Sequence, residues 1–134
     1  MGEIRYHILH RVNQIRSKYG KNELHIHEVN SDAAQKHAQY ILEEMIKQGN
    51  QRFQEIGHHN PYCYGEYNAE NMGEFSFPEE MSSSLERMID CMLLYMMRDG
   101  REHLTNIIGD FNHLGAEVAV SNEPKLIVLV QRFS

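Results

Sequence analysis

An α+β fold, with helices layered on both faces of a small antiparallel sheet, is what this 134-residue chain predicts. Three features carry that expectation. Apolar residues recur every three or four positions through the first third and again after residue 80, the spacing of helices that bury one face. The last quarter changes to β-rich runs separated by a turn. The final run is apolar at successive positions, as in a strand covered on both faces.

Taken in order, Ile4, Ile8, Val12, Ile15 and Tyr19 form the buried stripe of a first helix, and Gly20 supplies its left-handed stop. A short extended stretch around Leu24 and Ile26 follows. Ser31 and Asp32 offer side-chain oxygens to open a second helix, whose buried face reads Ala34, Ala38, Ile41, Leu42 and Met45, with Gly49 closing it. From about Gln51 to Phe75 helical period is lost among glycines, Pro61 and aromatic residues. That length of loop points to function, and Ala69 to Phe75 reads as a short strand within it, weakened by Gly73.

Ser76-Phe77-Pro78-Glu79 has the form of a capping box and predicts a third helix running to Gly100. Its buried side is Met81, Leu85, Met88, Met92, Tyr95 and Met96. The methionine concentration fits a core helix better than a methionine-lined binding groove. A fourth helix spans Arg101 to Ile108, and the runs 117–121 and 126–133 form a hairpin around Asn122-Glu-Pro-Lys125. The chain length fits one domain, residues 1–134, with one core.

Composition excludes several classes of function. Nineteen acidic against 13 basic residues give a net charge of −6, which repels a nucleic-acid backbone. The longest apolar run, Leu126 to Val130, is far short of the ~20 residues that cross a bilayer. The opening residues have no leader pattern, so the expectation is a protein that stays inside or one whose export signal has been removed. Two cysteines, Cys63 and Cys91, allow one disulfide at most and read more simply as separate thiols.

The chemistry-bearing residues are His59, the dipeptide Glu70-Asn71 eleven residues on, and Glu102-His103 after the third helix. Together they suggest one polar cavity. His58 competes with His59 for the same role. Asn71 and Asn106 read as loop ties, and His7, His10, His25, His27, His37 and His113 as surface or satisfied partly buried groups. Tyr62, Tyr64 and Tyr67 are either loop packing or the rim of a cleft.

Five segments then stand in the order and spacing of a known family: Val12-Asn-Gln-Ile-Arg16, His59-Asn-Pro61, Ala69-Glu-Asn-Met72, His103-Leu-Thr-Asn-Ile-Ile108 and Phe111-Asn-His-Leu-Gly115. The chain resembles the CAP superfamily of cysteine-rich secretory proteins, antigen five and pathogenesis-related proteins, in its compact bacterial, SCP-like form. The resemblance departs from the pattern at Ala69, where the family has glycine, and at the tryptophan before the second histidine, which is missing; Tyr95 or Met97 stands in that place. A second cavity acid falls to Asp99 or Glu102.

The resemblance implies a three-layer α-β-α sandwich of about four helices, with His59, Glu70 and His103 lining an open cleft. It also implies a secreted or cell-envelope module that binds a lipid, glycan or peptide. Two imidazoles, His59 and His103, beside a carboxylate also suit a divalent ion, zinc best, with water at the open position. A metal-assisted protease with Glu70 as base is the alternative. The plain alternative is that His59 hydrogen-bonds Glu70 and orders the cleft wall.

Overall fold

A computed structural model describes residues 3–49, 53–58, 67–99 and 101–134. In chain order they form α1 (Glu3–Lys18), β1 (His25–Ile26), α2 (Glu28–Gln48), α3 (Phe53–His58), β2 (Ala69–Ser76), α4 (Leu85–Asp99), α5 (Arg101–Ile107), β3 (His113–Asn122) and β4 (Lys125–Phe133). A 3₁₀ turn, Glu79–Met81, precedes α4. The strands make one sheet in the order β1-β3-β4-β2. It is mixed, since β1 runs parallel to β3 while the other two pairings are antiparallel.

The layering follows from β4. Its residues 126–133 are buried on both faces, as the unbroken apolar run predicts. Leu126, Val128 and Val130 meet Ala34, Ala38, Ile41, Leu42 and Met45 of α2, the face expected for that helix. Ile127, Leu129 and Phe133 point the other way, into a second core with α1, α4 and Ile107 of α5. Alternation along a single strand thus divides one domain into two apolar cores, one on each side of the sheet.

Several boundaries differ from the sequence reading. α2 begins at Glu28, because the Nδ1 of His27 accepts the amide of Asn30 and caps the helix earlier. Ser31 lies inside that helix, and its Oγ accepts the amide of Ala116 at 3.2 Å. The contact is this close because Gly115 has no side chain: a Cβ there would lie 2.4 Å from the Cβ of Asn30. Ser76 does not cap α4. It is the last residue of β2, paired with Leu126, and the backbone of Phe77 still bonds Lys125. α4 therefore starts nine residues after Ser76.

Tyr95 is 59% exposed rather than buried, and Tyr19 is 48% exposed at the frayed end of the α1 stripe. The part of this segment before Ala69, read as loop, holds a helix, α3, which buries Phe53 and Ile56 and brings the α-helices among the described residues to five. The strand at Ala69, weak on sequence because of Gly73, extends over eight residues. Gly20, with φ at 71°, ends the first helix as predicted.

Candidate functional site

The opening motif is an internal clamp. The Asn13 side chain brackets the backbone of Leu24, donating to its carbonyl at 3.1 Å and accepting its amide at 2.8 Å. Arg16 is fully buried and spreads its guanidinium over the carbonyls of Asn22, Ile107 and Gly109, each at 2.8 Å. These bonds tie α1 to the segment that follows α5. Burial lowers the pKa of Arg16, and the charge of Asp110 opposes that shift. The planar fork of arginine supplies the donors that three separate carbonyls require, which a lysine could not match.

A second network fixes α5 against β2. Asn71, buried, donates to the backbone carbonyl of His103 at 3.0 Å and to Gln131 Oε1 at 3.1 Å. Asn106 donates to Asn71 Oδ1 at 2.8 Å and to the carbonyl of Glu70 at 3.4 Å. Both asparagines are thus ties, as the sequence reading holds, and they bring the Glu70 and His103 segments side by side.

The side chains do not converge. Residues alternate along β2, so Asn71 faces α5 while Glu70 turns to the opposite face of the sheet. There its Oε2 accepts the Nε–H of Arg132 at 2.7 Å. Arg132 is wholly buried, and its guanidinium carbon lies 4.4 Å from the ring centre of Tyr67. His103 is half-buried, and its Nδ1 is enclosed with no hydrogen-bond partner among the described residues. His59, the side chain of His58, Tyr62, Cys63, Tyr64 and the side chain of Asp99 lie outside the described residues. Glu102 is exposed, and Cys91 is half-buried.

Among the described residues no three His, Cys, Asp or Glu side chains stand close enough to hold one metal ion. The Glu70 carboxylate is already matched to a cation.

An open cavity of about 290 Å³ crosses the outer edge of β2 beside His103. Four consecutive strand residues, Met72, Gly73, Glu74 and Phe75, line it. Phe53 of α3 closes one side, and Met92, Tyr95 and Met96 of α4 the other. The absence of a side chain at Gly73 leaves room there, since a Cβ would lie 3.0 Å from the Met96 methyl. Methionines expected only in the core therefore serve two purposes: Met92 and Met96 are buried, and they also form a cavity wall. Glu74 is exposed at the groove rim, where desolvation by neighbouring protein raises its pKa, and its carboxylate has no hydrogen-bond or ion-pair partner among the described residues.

Sequence reasoning passes over Glu74 and Arg132. A signal for Arg132 was present, because a cation on a strand covered on both faces must find an anion inside. The same signal applies to Glu117, 3% exposed, which accepts Arg5 Nε at 2.8 Å. His37 departs from the expectation of a surface or satisfied group. It is fully buried against Tyr40, with the backbone of Gly57 beside its ring. Burial, with a smaller push from the charge of Arg132, lowers its pKa to about 4.

The chain matches the cysteine-rich secretory protein family, CAP, over residues 9–133. Among solved structures it is similar to an outer surface protein of Borrelia burgdorferi, with a TM-score of 0.52 and 18% identity, covering 98% of this chain and 92% of that one. At that identity the likeness speaks to the fold alone. No curated protein matches the chain.

Proposed function

From the premise that this chain belongs to the CAP family, we propose that it is a ligand-binding module of the cell exterior or envelope whose binding site is the groove crossing the β2 edge beside His103. The single observation that carries this reading is the groove itself. It is open, bounded by α3, β2 and α4, and lined mainly by methionine and aromatic side chains with few polar groups. That composition is typical of small-molecule sites, where apolar walls supply affinity and a few polar atoms set orientation. The Borrelia neighbour is an outer surface protein, which supports the proposed location. Among the described residues no helix is long and apolar enough to cross a membrane.

The metal-assisted hydrolase ranks second. It would need Glu70 as base, and that carboxylate is held at 2.7 Å by a buried arginine.

The groove reading is tested with N-phenyl-1-naphthylamine, a neutral apolar dye that fluoresces when desolvated. The expected result is saturable one-to-one binding, weakened about tenfold or more by Tyr95→Arg, because Tyr95 stands exposed at the mouth and its replacement leaves the core intact. A dye signal that rises linearly without saturation, or one unchanged in the variant, overturns the assignment.

A further inference from the structure

β2 is an outer strand of the sheet, and the groove lies along its unpaired edge. In an antiparallel ladder each residue directs its N–H and its C=O to the same side, and successive residues alternate. The bond from the Phe77 amide to the Lys125 carbonyl fixes the parity, so that Phe75, Gly73 and Asn71 also face β4. Met72 and Glu74 therefore turn their amides and carbonyls outward. Glu70 has the same parity, and its carbonyl meets the Asn106 side chain at 3.4 Å, beyond the sheet edge. Past that tie, the outward backbone groups of Met72 and Glu74 have no hydrogen-bond partner among the described residues.

The walls of the groove belong to opposite faces of the sheet. Met72 packs into the core that holds Phe53 of α3, whereas Phe75, Met92 and Met96 belong to the core on the α4 side. A slot that straddles an open strand edge between two helical layers has the shape of a missing strand. A lipid tail would leave the row of donors and acceptors unmatched. An extended backbone matches it bond for bond.

We infer that the groove binds an extended peptide as an added strand, antiparallel to β2, through the outward backbone groups of Met72 and Glu74. This inference rests on the groove being the binding site and specifies the ligand class. Strand register then assigns the side chains. The peptide residue opposite Gly73 projects to the α4 side, into the space that glycine leaves beside Met96. A large apolar side chain fits there. The residues opposite Met72 and Glu74 project to the other face, an apolar one beside Met72 and a cationic one beside the exposed Glu74 carboxylate. The net charge of −6 favours the same sign of ligand. Read from its N-terminus, the bound motif is cationic, large apolar, then β-branched.

The test titrates the full chain, ¹⁵N-labelled, with acetyl-Thr-Lys-Leu-Val-Thr-amide. Saturable binding should slow hydrogen exchange at the Met72 and Glu74 amides by about tenfold or more, and leave Gly73, already bonded to β4, unchanged. N-methylation of the peptide at lysine or valine should weaken binding by about tenfold or more, because those amides face β2; at leucine, whose amide faces away, it should not. Replacing the peptide lysine by glutamate should weaken binding about threefold, and Glu74→Lys should reverse that preference. Glu74 is exposed with no internal partner to lose, so this variant should keep the wild-type melting temperature. Dye binding without saturable peptide binding overturns strand addition and leaves the groove standing. Unchanged exchange at Met72 and Glu74, or binding indifferent to the position of the N-methyl group, does the same. If neither dye nor peptide binds, both readings fall.

Discussion

Arg16 and Glu74 are both charged residues beside apolar neighbours, and the fold treats them in opposite ways. Around Arg16 every direction offers an acceptor, with three backbone carbonyls at 2.8 Å and Asn22 Oδ1 at 3.1 Å. Glu74 stands exposed at the rim of the groove, with no cation beside it among the described residues. The first region closes its polar accounts within the molecule and is structural. The second leaves one open at the surface, where a ligand can complete it. Satisfaction of polar groups, more than their presence in a family motif, separates scaffold from site here.

The most damaging challenge to the scaffold side is Arg16→Met. It strips three carbonyls of their donor, leaves the buried one of Ile107 unpaired and unties α1 from the end of α5, so a loss on the order of 3–5 kcal/mol is expected in urea denaturation. A loss below about 1 kcal/mol would mean that water replaces the guanidinium and that Arg16 is no clamp.

His37 gives the next largest effect, and it sharpens the comparison because it is a titratable group enclosed away from water. Its folded pKa of about 4 lies below the ordinary value of 6.5, so the native state favours the neutral ring. The stability is therefore whole above pH 6.5 and falls as pH drops from 6.5 towards 4. The full difference is on the order of 3 kcal/mol. Chemical denaturation at several pH values should show wild type losing stability relative to His37→Phe across that window. Parallel profiles for the two proteins would place the charge elsewhere.

Asn106→Ala is the mildest of these challenges. It leaves the Oδ1 of buried Asn71 without its 2.8 Å donor, and a cost of about 1–2 kcal/mol follows. Because the Asn71 network holds the His103 backbone, dye affinity in the groove should fall with it. Unchanged affinity at reduced stability would separate the tie from the site.

Much of the architecture can be read from local pattern. The α2 face, the stop at Gly20, the short helix from Arg101 and the doubly buried last strand all follow from residue spacing and turn chemistry. α3 escapes because six residues are too few to show a helical period. Ser76-Phe-Pro-Glu79 misleads because a capping sequence is only an offer to the backbone. β4 takes Ser76 first, through the ladder that pairs Ser76 with Leu126. The motif residues are equally legible as a set, yet their roles divide: Asn13, Arg16, Asn71 and Asn106 make internal bonds, while Glu70 turns to Arg132 and away from His103.

By itself the sequence determines which residues are buried in helices and strands, since periodicities of 3.6 and 2 are properties of the local backbone. It also places Glu70 and His103 on adjoining segments, through a family pattern that spans the chain. Tertiary structure alone decides that Glu70 meets Arg132, that His37 is enclosed, and that Met92, Tyr95 and Met96 of α4 line a groove at the β2 edge. Those outcomes depend on which face of the β2 edge each side chain leaves from and on what another layer brings to that face. Neither is encoded in the spacing of residues along the chain.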